Sequence, residues 1–168
     1  MTDQPDPQAV RVVLVDDRPE RRQLVRRVVE NCGVAASVVA EVGSEGEVIA
    51  LVEVDHPDLV LLEIQIPVEA GLDAISALRR RYPLLRILVC SFHRRKATKL
   101  RALELGADEY LEKPISPSDV TAALRRLFPD APTPGELLAF QGLEAPSIPD
   151  QLPPPLHYAG ASAQPHGA

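Results

Sequence analysis

Five times between residues 10 and 127 a short apolar run gives way to a longer amphipathic one, and this alternation constrains the fold more than anything else in the chain. Residues 10–15 are largely Val and stop at Asp16-Asp17. Pro19 suits a first helical turn. Leu24, Val25, Val28 and Val29 then recur at helical spacing through Asn31, and Gly33 closes that helix. Residues 37–42 read as a second strand, and Ser44 as the cap of a helix carrying Val48, Ile49, Leu51 and Val52. His56-Pro57-Asp58 is a turn before 59–62, a wholly apolar strand ending at Glu63. Pro67 and Gly71 bracket a loop, and Leu72, Ile75 and Leu78 mark a helix to Arg81. Residues 87–90 form a strand ending at Ser91, and 97–105 a helix stopped by Gly106. A short strand, 109–112, precedes Lys113-Pro114, and Ser116 caps a helix bearing Val120, Ala123, Leu124 and Leu127. Apolar strands separated by amphipathic helices predict a parallel sheet covered on both faces. With no Trp and 4% aromatic residues, its core is built from Val, Leu, Ile and Ala.

The pattern divides the chain into a flexible start at 1–9, a regular domain at 10–128 and a tail at 129–168. Nine of the seventeen prolines lie in that tail, which is expected to be mostly disordered because it buries too little surface to offset its ordering entropy. Inside it Thr133-Pro134-Gly135-Glu136 reads as a helix start before Leu137, Leu138, Phe140 and Leu143, a short docking helix or a transient turn. The start of the chain lacks an apolar signal core, and no run approaches the roughly 20 apolar residues of a membrane span. Cys32 and Cys90 sit in apolar contexts without metal spacing and read as buried reduced thiols. A cytoplasmic protein is expected, and the net charge of −6 argues against general nucleic-acid binding.

In parallel α/β sheets, sites form at the carboxyl ends of the strands. Here those ends carry Asp16 and Asp17, Glu63, Ser91 and, after the fifth strand, Lys113. Three carboxylates, a hydroxyl and an ammonium are thus expected to converge on one pocket. A carboxylate cluster of this kind calls for a divalent cation. Without one, two like charges 4 Å apart repel by about 4 kcal/mol at an effective dielectric near 20.

The strings V-L-V-D-D-R-P-E, P-D-L-V-L-L-E-I-Q-I-P-V-E-A-G, I-L-V-C-S and G-A-D-E-Y-L-E-K-P-I resemble the response-regulator receiver domain of two-component systems. The resemblance runs from about Val10 to Leu127. It implies a flavodoxin-like, doubly wound five-stranded parallel sheet of order 2-1-3-4-5. It also implies roles: Asp16 and Asp17 as the acidic pair for Mg²⁺, and the backbone carbonyl of Gln65 as a further metal ligand. Glu63 falls at the phosphoacceptor position, Ser91 and Lys113 at the groups that hold phosphoryl oxygens, and Tyr110 at the aromatic that swings inward on activation.

Glu63 departs from the family's aspartate. Its extra methylene, about 1.5 Å of bond, carries the carboxylate into the space of a phosphoryl group. Misplacement by about an ångström costs roughly a hundredfold in rate, and Mg²⁺ demands near-octahedral geometry, so the change counts against metal binding as well. The expectation is a stand-alone pseudo-receiver and not an enzyme, with Glu63 pairing with Lys113 or accepting a hydrogen bond from Ser91. The alternative is a conventional phosphorelay receiver, inefficiently phosphorylated at Glu63 or a neighbouring acid. A flavodoxin-type electron carrier is disfavoured because Asp16-Asp17 repels phosphate, and a haloacid-dehalogenase-type phosphatase because the two acids are adjacent. Output is expected through a partner signalling protein, a histidine kinase or downstream effector, or through a homodimer on the strand 4–helix 4–strand 5–helix 5 face. Arg94, Arg95, Lys96, Lys99 and Arg101 crowd that region, and Arg21, Arg22, Arg26 and Arg27 crowd the first helix. His93 reads as a solvated loop residue.

Overall fold

The computed structural model describes residues 8–64, 68–140 and 142. The element order is β1 (Val10–Val15), α1 (Pro19–Glu30), β2 (Ala36–Val42), α2 (Val48–Asp55), β3 (Leu59–Leu62), α3 (Val68–Arg81), β4 (Arg86–Ser91), α4 (Lys96–Glu104), β5 (Glu109–Glu112), α5 (Pro117–Leu127) and α6 (Pro134–Phe140). The strands form one parallel sheet, as the alternation predicts, in the order β2-β1-β3-β4-β5 that the family resemblance implies.

Strand side chains alternate between faces, and both faces are buried. Val12, Leu14, Leu59, Leu61, Leu88 and Cys90 join Val25, Val28 and Val29 of α1 and Val120, Ala123 and Leu124 of α5 in one core. Val13, Val15, Val60, Leu62, Ile87 and Val89 join Val48 and Val52 of α2, Ile75 and Leu78 of α3, and Ala102 of α4 in the other. Each fully buried aliphatic side chain contributes about 1.5–3 kcal/mol. That is why central strands this short suffice. The register pairs Val15 with Leu62, Leu62 with Val89 and Ser91 with Glu112, so β1, β3, β4 and β5 end side by side.

Local signals explain the start of α5 and the turn before β5. At α5, Ser116 Oγ accepts from Asp119 N–H at 3.2 Å and Asp119 Oδ2 accepts from Ser116 N–H at 2.8 Å, a reciprocal cap. Gly106 has φ +116°, and a Cβ there falls 2.6 Å from Arg79 Cγ. Arg79 donates to Gly106 O (2.8 Å) and Asp108 Oδ2 (2.7 Å), fastening the turn before β5.

Two boundaries differ from the sequence reading. Ser44 does not cap α2: its carbonyl accepts from Glu47 N–H at 3.3 Å, and the helix begins at Val48 with no side-chain cap. Gly71 lies within α3, not in a loop, because a glycine lets the helix press on Ile64, whose Cγ1 sits 3.1 Å from a built Cβ.

After α5 the chain stays on the domain for some residues. Ala35 N–H donates to Pro132 O at 2.8 Å, Arg125 Nη1 donates to Ala131 O at 2.6 Å, and Ala131 packs on the first core. Thr133 N–H donates to Glu136 Oε2 at 2.7 Å and Glu136 N–H to Thr133 Oγ1 at 3.1 Å, so the helix start legible in the sequence opens α6. Gln65, Leu143 and the rest of the proline-rich stretch lie outside the described residues.

Candidate functional site

The ladder that holds the strands in register also places the functional groups. Glu63 N–H donates to Val15 O at 2.9 Å, Asp16 N–H to Val42 O at 3.2 Å and Lys113 N–H to Ser91 O at 2.9 Å. Each candidate therefore stands one step beyond a buried strand, or, for Ser91, at its last residue. Asp16, Glu63, Ser91 and Lys113 are the buried polar or charged residues among those described, at 4%, 3%, 0% and 2% exposure. Asp17, the next residue, is exposed.

Lys113 crosses from β5 to the carboxylates. Its Nζ lies 2.5 Å from Glu63 Oε2 and 3.0 Å from Asp16 Oδ2. The Asp16 contact is a hydrogen bond. Glu63 Oε2 meets no donor in hydrogen-bonding geometry, so its short contact with the ammonium is carried by charge. Burial is the largest influence on Lys113 and disfavours its charged form, but Glu63 and Asp16 together outweigh it and raise its pKa. The other Asp16 oxygen accepts from Arg18 N–H at 3.0 Å, and Arg22 Nη1 donates to the Asp16 carbonyl at 2.6 Å. Arg22 and Arg26 also share Glu41 of β2, so part of the basic run on α1 is engaged within the fold. Burial pushes the nearby Cys90 thiol up to about 12, which keeps it an inert core residue.

Ser91 does not reach Glu63. Its hydroxyl donates to Ile64 O at 2.9 Å and accepts from His93 N–H at 3.2 Å. Tyr110, 5% exposed, points inward and donates to His93 O at 2.6 Å, with Lys99 Nζ 5.9 Å from its ring. The main chain at His93 thus joins the hydroxyl to the aromatic. Sequence reasoning missed this, since any residue supplies the same N–H and C=O. It also missed Phe92, whose ring lies 5.5 Å from Lys113 Nζ. A bulky aromatic directly after the Ser91 hydroxyl, in a chain with three Phe, was the available signal.

The space left in the pocket is about 10 Å³, lined by Asp16, Arg22, Glu63, Lys113 and aliphatic residues of β1, α1 and β3. That is room for about one water. Receiver-type Mg²⁺ needs converging carboxylates, yet here Asp16 and Glu63 both contact the Lys113 ammonium, and Asp17 is exposed. Among the described residues no three His, Cys, Asp or Glu side chains are grouped to hold a metal. As arranged, the described residues do not fit Mg²⁺.

The model of the response regulator receiver domain matches residues 12–125. The chain belongs to this family. It is 30% identical over 117 residues to the chemotaxis protein CheY of Thermotoga maritima, covering 70% of this chain and 96% of that one. It is 36% identical over 126 residues to a protein-glutamate methylesterase/protein-glutamine glutaminase of Paramagnetospirillum magneticum, covering 73% of this chain but 33% of the relative. Several curated relatives are therefore much longer than the shared receiver. The structure of a two-component response regulator of the LuxR family from Aurantimonas superposes with a TM-score of 0.66 at 30% identity, covering 80% of this chain and 98% of that one. Receiver domains are signalling modules that generally bind Mg²⁺ at their phosphorylation site and interact with kinases and effectors. In this receiver Glu63 and Lys113 form a buried ion pair at the carboxyl end of the sheet. No helix among the described residues is long and apolar enough to cross a membrane.

Proposed function

We propose that this chain is a pseudo-receiver, a cytoplasmic signalling module that acts by protein–protein contact without phosphorylation at Glu63. The observation that carries the reading is the 2.5 Å pairing of Glu63 with Lys113. The longer acid reaches the ammonium that a phosphoryl group would need, and Asp16, one of the acidic pair, contacts it as well. The receiver in this reading is residues 10–128.

Its contact surface is the β4–α4–β5–α5 face. Lys96, Lys99 and Arg101 stand there beside Leu100 and Leu103, which are 49% and 37% exposed. A basic helix with exposed leucines suits an acidic, partly apolar partner, a histidine kinase or an effector, or a second copy of the chain. Direct nucleic-acid binding is not part of the reading.

One observation supports the second reading, slow phosphoryl transfer at Glu63 or a neighbouring acid: Asp16, Ser91 and Lys113 are buried at the carboxyl end of the sheet together with Glu63. The two are separated by capturing binding partners on the immobilised protein with and without acetyl phosphate and Mg²⁺. The pseudo-receiver captures the same partners at the same level in both. A partner gained or lost on adding the phosphodonor overturns it.

A further inference from the structure

Phe92 is the first residue after β4, and Arg21 lies in the first turns of α1, which follows β1. Their side chains meet: the Arg21 guanidinium carbon sits 5.1 Å from the Phe92 ring centroid. In the sheet order β3 lies between β1 and β4. A contact from the α1 side to the residue after β4 must therefore pass over the end of β3, where Glu63 stands. The same ring lies 5.5 Å from Lys113 Nζ. It is 39% exposed, while Lys113, Glu63 and Asp16 are 2%, 3% and 4% exposed. Phe92 does not line the small cavity itself; its more exposed ring lies against Lys113, between that buried ammonium and solvent. On the far side Arg94 Nη2 donates to the Lys113 carbonyl at 3.3 Å, fixing the stretch after Phe92 to the β5 end.

We propose that Phe92, held down by Arg21, is an access-determining residue that closes the Asp16–Glu63–Lys113 pocket against phosphodonors and hydrated cations. A cation stacked on an aromatic face is attracted by the ring quadrupole. Here two cations share one ring, Arg21 from α1 and Lys113 from β5. The ring is therefore attached to both walls of the mouth and not left to swing freely. This second barrier deepens the pseudo-receiver reading. It rests on that reading for its meaning but is independent of which acid stands at 63. Entry of an anion or a hydrated metal requires the Arg21–Phe92 stack to break.

The test uses the full chain in two ways. In a Glu63→Asp background, acetyl phosphate with Mg²⁺ supplies the phosphoryl group. The carboxylate oxygen bonds to phosphorus, the bond from phosphorus to the acetyl oxygen breaks, and acetate leaves with the electron pair. Adding Phe92→Ala or Arg21→Ala is expected to raise the labelling rate at least tenfold. Separately, reductive methylation by formaldehyde and a borane reads lysine access directly, since the chain has three lysines, Lys96, Lys99 and Lys113. Lys113 is expected to lag Lys96 strongly in the natural protein and to gain at least tenfold in Phe92→Ala. Lys113 reactivity unchanged by Phe92→Ala overturns the proposal, whatever residue 63 does. Robust labelling of the natural protein at Glu63 overturns the pseudo-receiver reading instead, and leaves the access role standing if Phe92→Ala still accelerates the reaction.

Discussion

Lys113 Nζ lies 2.5 Å from Glu63 Oε2, and both side chains are almost wholly buried, at 2% and 4% exposure. The carboxylate anchored just after β3 thus meets the ammonium of the residue that follows β5. Asp16 shares the same ammonium at 3.0 Å. Buried ions repay their desolvation only when paired closely, so the three groups depend on one another.

Lys113→Met is accordingly expected to destabilise the fold by about 3–5 kcal/mol, because two carboxylates are left buried without their shared cation. Glu63→Gln relieves part of that loss, so Lys113→Met combined with Glu63→Gln costs less than the sum of the single changes. Urea unfolding of the four proteins measures this. Strictly additive effects contradict the pairing.

The pH dependence follows from the raised pKa of Lys113. The folded state holds this proton more tightly than the unfolded chain, whose reference value is 10.5. The stabilisation is therefore complete below that value and is lost as pH rises through the folded pKa. The stability gap between the natural protein and Lys113→Met is expected to stay constant with respect to Lys113 from about pH 8 to 10 and to shrink above. A gap that widens on the alkaline side contradicts the sign.

Gly106→Ala is expected to cost about 1–3 kcal/mol, because φ there is +116° and the new Cβ meets Arg79 at 2.6 Å. Gly46→Ala, where nothing lies within 4 Å, is the control and stays near neutral. Thermal unfolding distinguishes them.

Tyr110 is held inward by His93 O without any phosphoryl group. Tyr110→Phe is expected to cost about 0.5–1.5 kcal/mol and to speed amide exchange in the loop after β4. The account further expects Glu63→Gln and Ser91→Ala to weaken partner binding, since charge at residue 63 and the Ser91–His93 link together bias this arrangement. Titration of each variant against the captured partner checks it. Equal affinity for the natural protein and the unphosphorylated Asp and Gln variants refutes the bias.

Strand ends were legible in the sequence because β-branched and aliphatic runs stop abruptly at polar residues, as at Val15-Asp16 and Leu62-Glu63. The cap of α5 was legible because Ser116 and Asp119 carry the chemistry in their side chains. Gly71 was misread because a helix packing closely on Ile64 and a loop both favour glycine, and only the packing decides. The inward set of Asp16, Glu63, Ser91 and Lys113 was legible from strand order. Which of Asp16 and Asp17 turns inward was not, since that depends on the path from β1 into α1. The choice of Lys113 over Ser91 as the partner of Glu63 was equally hidden, because reach and direction are settled in three dimensions.

The most direct test of the central claim is intact-mass analysis of the natural protein and Glu63→Asp after incubation with acetyl phosphate and Mg²⁺. The account predicts no stoichiometric phosphoryl adduct on the natural protein. It predicts an adduct on Glu63→Asp, formed slowly while Phe92 is in place and assignable to residue 63, because the shorter acid releases Lys113 and restores room for the transferred group. A full adduct on natural Glu63 contradicts the account.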